Sequence, residues 1–270
     1  MAVVTGGASG IGRALCEELA RLGSMVIVAD LDADGARQVS AGIVASGGHA
    51  CAARVDVACA EEVQSLVADT VSEHGRLDYV FNNAGIAVGG ELRDLELDHW
   101  RRIVDVNLMG VVYGTTAAYV QMLKQGSGHI VNTASIAGLI GFPGALPYST
   151  TKSGVIGMSL SLRAEAADLG VKVSVVCPGF VRTNIYEAST LVNASKDEFI
   201  AQIPLNMMPA DRAARAIVRG VSRNKAVIVF PFHARMFWWL HRFAPWTINS
   251  LHRQAVRRFR TIRKPPSLSR

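Results

Sequence analysis

Thr5-Gly-Gly-Ala-Ser-Gly-Ile-Gly12 separates a short apolar run, Ala2–Val4, from a helix-forming stretch that extends from about Gly12 to Leu22. Met25-Val-Ile-Val-Ala-Asp30 follows at once, an apolar run that ends on a carboxylate. Strand, glycine turn, helix and strand in this order make one βαβ unit, whose crossover leaves its two strands parallel. The alternation continues outward. Helical stretches at about Ala33–Ser46, Glu61–Glu73, Asp98–Leu123 and Tyr148–Leu169 alternate with strand-like runs Ala50–Val55, Tyr79–Phe81, His129–Thr133 and Lys172–Val176. Near-continuous apolar strands such as Val26–Ala29 and Val173–Val176 are expected to be covered on both sides. The expected class is therefore α/β: a doubly wound parallel sheet of about seven strands with helices on both faces.

Half of the 270 residues are hydrophobic, and no repeat, linker or low-complexity tract divides the chain. One domain over residues 1–231 is expected, followed by a basic, aromatic-rich helical extension over 232–270. The extension holds nine Lys and Arg and no Asp or Glu, so the net charge of +6 becomes −3 for the first 231 residues. Basicity confined to a tail, without a recognised binding module, gives no reason to expect nucleic acid. In that tail Phe232, Met236, Trp239, Leu240 and Phe243 fall on one helical face, and a second helical stretch ends near Arg263. Such helices can close over a substrate pocket, pack in an oligomer interface or lie on a bilayer; the sequence leaves all three open. The four cysteines have irregular spacing and no CxxC pair, so neither a disulfide framework nor a metal site is expected. The N-terminus shows no basic region ahead of an apolar core, and no uncharged apolar run reaches the roughly 18 residues of a spanning helix. The expected location is the cytoplasm, with membrane association through the tail as an option. Asn193-Ala-Ser195 matches a glycosylation sequon and reads as coincidence.

Gly6, Gly10 and Gly12 allow a sharp turn and close approach of backbone to a ligand, with Ser9 and Ile11 between them. The helix that starts there offers free N–H groups and a positive dipole end to a pyrophosphate. Asp30, about 20 residues on at the end of the second strand, is placed to accept ribose hydroxyls and to repel a 2′-phosphate. The competing reading of Asp30 is a plain cap for the next helix. Arg13 is the one nearby cation, so NAD is expected over NADP.

Tyr148-Ser-Thr-Thr-Lys152 puts a phenol and an ammonium one helical turn apart. A phenol with a pKa of about 10 is a poor base at neutral pH; neighbouring positive charge is expected to make it more acidic. Ser135 follows the strand His129–Thr133 at the sheet edge where α/β proteins bind ligands, and a glycine-rich loop leads from it to Tyr148. Asn107 stands inside the long Asp98–Leu123 helix, where asparagine is disfavoured without a tertiary reason.

Taken together, the glycine loop, Asn107, Ser135, Tyr148 and Lys152 resemble the short-chain dehydrogenase/reductase family, and the resemblance covers roughly Ala2 to Pro231. It implies a Rossmann-type fold and hydride transfer between NAD and a small-molecule secondary alcohol or ketone. In that reading Ser135 and Tyr148 hold the substrate oxygen, Tyr148 moves the proton, Lys152 grips the nicotinamide ribose, and Asn107 steadies Lys152 through a water. The resemblance also assigns Asp56 and Val57 to the adenine, Asn83, Ala84 and Gly85 to the cofactor wall, and Pro178, Gly179, Val181 and Thr183 to the carboxamide. It implies a homodimer or homotetramer. Alternatives that keep the same residues are an epimerase using bound NAD and a non-catalytic NAD-binding regulator.

Between Pro178 and Asp211 the chain carries Ile185, Tyr186, Leu191, Val192, Phe199, Ile203, Leu205, Met207 and Met208. An apolar, Met-containing cover suits a bulky hydrophobic substrate such as a steroid, long-chain or aromatic carbonyl. Alternatively these side chains complete the core.

Overall fold

The computed structural model describes residues 1–202 and 207–264. Its main sheet is parallel throughout and contains β1 (Ala2–Thr5), β2 (Met25–Asp30), β3 (His49–Arg54), β4 (Tyr79–Asn82), β5 (Gly128–Thr133), β6 (Val171–Pro178) and β7 (Val227–Phe230). The strand order is β3-β2-β1-β4-β5-β6-β7, the doubly wound arrangement expected from the sequence. The main sheet has seven strands among the described residues; β7 is the one that the sequence reading did not single out.

Alternate residues of each strand feed opposite cores. Val4, Val26 and Val28 meet α1 (Gly10–Arg21), α2 (Ala33–Ala45) and the helix Ala210–Ser222 on one face. Val3, Ile27 and Ile130 meet α3 (Ala60–His74) and Ala118 and Met122 on the other. Leu15, Leu77, Phe81, Met122 and Ile130 are all fully buried, each stabilising the fold by ~1.5–3 kcal/mol.

The long helix expected over Asp98–Leu123 is broken. It consists of α4 (Leu97–Val104) and α5 (Gly110–Gln125), joined by a π turn at Asp105–Met109. A π turn widens the backbone ladder by one residue and is frequent at functional sites; here it carries Asn107. Contrary to the sequence expectation, Leu97–Gln125 is long and apolar enough to cross a membrane. Yet Val111, Ala118 and Met122 are buried in the protein's own cores, so its apolar composition serves packing. Helix α6 (Leu146–Glu165) carries Tyr148 and ends four residues earlier than expected, because Gly170 turns the chain against Gly126 before β6.

The extension forms α7 (Phe232–Phe243) and α8 (Pro245–Ile262). Its far end folds back onto the domain. Arg263 holds Asp94 through two hydrogen bonds of 2.8 and 2.7 Å, and Arg260 donates to Glu91 at 2.6 Å. The backbone joins in: Ser195 N–H donates to Ile262 O at 3.1 Å and Lys264 N–H to Asn193 O at 2.8 Å. Burial raises the Glu91 carboxyl, but hydrogen bonds from Arg260 and Arg93 outweigh it and hold the group below its ordinary value. The Arg263 hydrogen bond does the same for Asp94.

Candidate active site

Strand β1 lies between β2 and β4, and the helices after β1 and β4 leave on opposite faces of the sheet. The loops at these carboxyl ends therefore part and open a crevice, the place where such sheets bind ligands. The glycine loop forms its floor. Gly6 and Gly10 have φ of +66° and +54°, a region that side chains strain to enter. A Cβ on Gly12 would stand 1.9 Å from the Gly6 carbonyl oxygen. Ser9, the residue before α1, is exposed and makes no side-chain cap, which leaves the first-turn N–H groups without a side-chain acceptor. That cradle fits a pyrophosphate.

Thr5 locks this loop to β4. Its hydroxyl accepts the N–H groups of Asn83 and Ala84 at 3.0 and 3.1 Å. The Asn83 side chain donates back to Thr5 O at 3.0 Å, so its amide fastens the loop, and the wall of the crevice is made by the backbone of Ala84 and Gly85. Asp30 accepts Ala8 N–H at 2.9 Å and Asp32 N–H at 3.0 Å. The cap of α2 is Asp32, which accepts Gly35 N–H at 3.0 Å; Asp30 is thus free of that duty and is fixed against the glycine loop. Arg13 is paired with Glu17 at 2.8 Å. Arg54, the β3 partner of Asp30, is paired with Glu62 at 2.8 Å. Beyond β3, Asp56 accepts Ala58 N–H at 2.9 Å, and Val57 packs beneath Gly110 at the head of α5.

The second wall carries the reactive side chains. Ser135 ends the β5 loop and caps a short helix, Ile136–Ile140, accepting Ala137 N–H at 3.1 Å. Its hydroxyl stands close enough to the Tyr148 phenol to lower the phenol's pKa, so the segment between them does bring the two together. Lys152 is buried and donates to Thr133 O at 2.9 Å, with its ammonium 5.8 Å from the Tyr148 ring centroid. Asn107 is fully buried and pairs with Ile86 through both amide atoms, at 2.8 and 2.9 Å. Its oxygen and the Lys152 ammonium both border the place a Gly85 Cβ would fill. Asn107 therefore reaches Lys152's surroundings but spends its hydrogen bonds on the β4 loop.

The expectation that Lys152 makes the phenol acidic needs correcting. Burial pushes Tyr148 above its ordinary value, and the neighbouring Ser135 hydroxyl only partly offsets this. Burial also brings Lys152 down to about 8. The lysine is anchored on a carbonyl and sits over the ring, so desolvation outweighs its field at the hydroxyl.

Pro178 closes β6 against Phe230. Gly179 N–H donates to Phe230 O at 2.7 Å, and a Cβ there would strike Ala234. Val181 is buried against Met208, and Thr183 faces Gly10 across the crevice. The cover beyond it is surface rather than core: Ile185, Tyr186, Leu191, Val192 and Phe199 are all half-buried, while Met208 packs against the first core. Ile203 and Leu205 lie outside the described residues. Residues Thr190–Leu191 pair with Val88–Gly89, and Phe259 of α8 packs beside Gly144 just ahead of Tyr148. The Asn193 amide donates to Asp94 at 3.2 Å.

Several neighbours take roles that the sequence reading did not give them. Tyr186 is a second phenol close enough to Tyr148 for their charges to oppose; burial first, then Tyr148, pushes it up to about 12. Cys177, raised to about 12 by burial, lies within electrostatic reach of Lys152. A buried chain of polar groups runs Thr115, Asn82, Asn132, Ser159, with bonds of 3.2, 2.8 and 3.1 Å. It ties β4, β5, α5 and α6 together and fixes the helix that presents Tyr148. None of these residues stands in a spacing that marks it.

A family model described as short chain dehydrogenase matches residues 1–194. The chain belongs to the short-chain dehydrogenase family. It is 40% identical over 206 residues to a 3-oxoacyl-[acyl-carrier-protein] reductase of Synechocystis sp., covering 76% of this chain and 81% of that protein. It is likewise 40% identical over 186 residues to a cyclohexanol dehydrogenase of an Acinetobacter sp., covering 68% and 73%. A short chain dehydrogenase/reductase of Burkholderia phymatum, solved in complex with NAD, superposes with a TM-score of 0.83 at 28% identity, covering 89% of this chain and 92% of that one. This short-chain dehydrogenase is thus an oxidoreductase.

Proposed function

We propose that this short-chain dehydrogenase transfers hydride between NAD and a secondary alcohol or ketone with a hydrophobic body. The observation that carries the proposal is the Tyr148 phenol with Ser135 beside it and the Lys152 ammonium 5.8 Å from its ring centroid, opposite the glycine cradle and beneath an apolar cover. The nicotinamide, when bound, supplies or accepts the hydride and brings a positive charge in its oxidised form. Ser135 orients the substrate oxygen by hydrogen bonding. Tyr148 removes the alcohol proton during oxidation and returns it during reduction; the added positive charge counters the burial that raises its pKa. Lys152 holds the ribose side of the crevice, and Asn107 keeps the π turn and the β4 loop in register.

Asp30 supports preference for NAD, because a second phosphate would meet its carboxylate while Arg13 and Arg54 are engaged with glutamates. Asp30→Ala is expected to raise kcat/KM with NADP relative to NAD about 10–100-fold, roughly the 1–3 kcal/mol of a like-charge contact. An unchanged ratio contradicts the assignment.

The relatives' names support two substrate types, a carrier-bound 3-oxoacyl chain and a cyclic alcohol, and in both the carbon that gains or loses hydride, as ketone or secondary alcohol, is joined to an apolar body. The deciding experiment follows NADH formation or loss over small polyols, cyclic and long-chain secondary alcohols, sterols and a 3-oxoacyl thioester. Turnover rising with apolar size is expected. Activity confined to small polyols removes the hydrophobic substrate, and bound NAD cycling without net NADH favours an epimerase.

A further inference from the structure

Helix α7 presents a row of large apolar side chains that nothing among the described residues covers. Phe232, Met236, Trp239 and Phe243 recur at helical spacing and are 77%, 51%, 52% and 65% exposed; Trp246, just beyond, is 69% exposed. Trp239 and Phe243 stack on each other with ring centroids 5.3 Å apart. The opposite side of the same helix is engaged: Ala234 is buried and Trp238 packs against the buried cluster that includes Val155, Val175 and Val229. The latch of Arg260 and Arg263 on Glu91 and Asp94 holds only the far end of the extension. A row of this size on a monomer marks an interaction surface.

Beside the row lies a groove of about 350 Å³ between α7, β7 and the helix Ala210–Ser222. Arg219, Lys225, Arg235, Trp238 and Trp239 line it, and no carboxylate among the described residues does. Trp239 belongs to both the groove and the row, so the two form one surface. Arg235 donates one nitrogen to Val229 O at 3.3 Å, on the sheet's edge strand, and Arg242 is exposed near the end of the row.

We propose that this surface docks on a lipid bilayer containing anionic lipid, with the aromatic row at headgroup depth and the groove receiving phosphate headgroups. Tryptophan, with an apolar body and an N–H donor, favours that depth, and cations beside it add attraction to anionic lipid. Neither α7 nor α8 is long and apolar enough to cross a membrane, so the contact is peripheral. Charge decides against a second copy as the occupant. A two-fold contact sets the same patch against itself, and here that brings arginine against arginine with no Asp or Glu anywhere in residues 232–264 to separate them.

The test is sedimentation of the full chain with vesicles of phosphatidylcholine alone or mixed with phosphatidylglycerol, read without turnover so that it stands apart from the hydride-transfer reading. Binding to the mixed vesicles that weakens with salt and is slight on phosphatidylcholine is the expected result. The exposed pair Trp239→Ser with Phe243→Ser should weaken partitioning about tenfold or more while leaving NADH turnover on a water-soluble alcohol unchanged. Arg219→Gln with Lys225→Gln should reduce the preference for phosphatidylglycerol. A chain that stays in the supernatant with both vesicle types overturns the proposal, as does binding that the Ser variant leaves intact. A dimer that the Ser variant converts to monomer, without vesicle binding, assigns the surface to a second copy and overturns it too.

Discussion

Tyr148→Phe is expected to lower kcat/KM for NADH-linked alcohol oxidation about 10²–10⁴-fold, the typical worth of a positioned acid/base group. The change removes one hydroxyl and leaves the ring, so α6 and the 5.8 Å approach of Lys152 to the ring stay as they are. The Ser135 hydroxyl keeps its bond to Ala137 N–H. Binding of NADH, followed by its fluorescence, should change by no more than about twofold, because the phenol's part begins with substrate. The pH dependence carries further information. Burial raises the Tyr148 pKa in the free protein, so kcat/KM for oxidation should climb toward alkaline pH, and the limb should move to lower pH in kcat, measured with the oxidised nicotinamide bound. Near-normal turnover in the Phe variant removes Tyr148 from the chemistry.

Gly12→Ala tests the other wall and should be nearly as damaging. The new methyl group would stand 1.9 Å from the Gly6 carbonyl oxygen and 2.7 Å from Asn83 Nδ2. Both atoms belong to parts the loop cannot move cheaply: Gly6 is held at positive φ, and Asn83 fastens β4 to Thr5. Relief requires the glycine loop to lift from β4, which opens the cradle for the pyrophosphate. NADH affinity should fall about 100-fold or more, with a cost to stability on the order of 1–3 kcal/mol from overpacking. Titration with NADH alongside thermal denaturation separates the two effects. Gly42→Ala, on α2 with open space around it, is the control and should leave affinity unchanged.

How far the sequence carried depends on what each feature needs. The sheet was legible because buried parallel strands must be apolar and the crossovers must be helical, and both leave periods. The cradle was legible because only glycine tolerates the turn at Gly6 and the contact at Gly12. Ser135, Tyr148 and Lys152 were legible through spacing and a family pattern. The π turn was half legible: Asn107 was out of place in a helix, but nothing in the local residues says that the ladder widens there. Asn83 was placed at the cofactor wall; that its amide also fastens the glycine loop was not legible, since side-chain direction after a strand is decided by tertiary contacts. The acidity of Tyr148 was misjudged because spacing gives the distance to a cation but not the burial that opposes it. Asn132 and Ser159 were invisible, and Tyr186 was read only as part of the cover; their partners come from remote segments. The latch between Arg263 and Asp94 spans 169 residues, and the abundance of arginine in the tail gave no hint of which ones are paired.

The most direct test of the central claim is a crystal structure with NAD and an unreactive analogue of a hydrophobic alcohol. The account predicts the Tyr148 hydroxyl about 3 Å from the analogue's oxygen, Ser135 on the same oxygen, and the nicotinamide between them and the glycine loop. A phenol turned away from that oxygen, or a cofactor bound outside the crevice between β1 and β4, contradicts it.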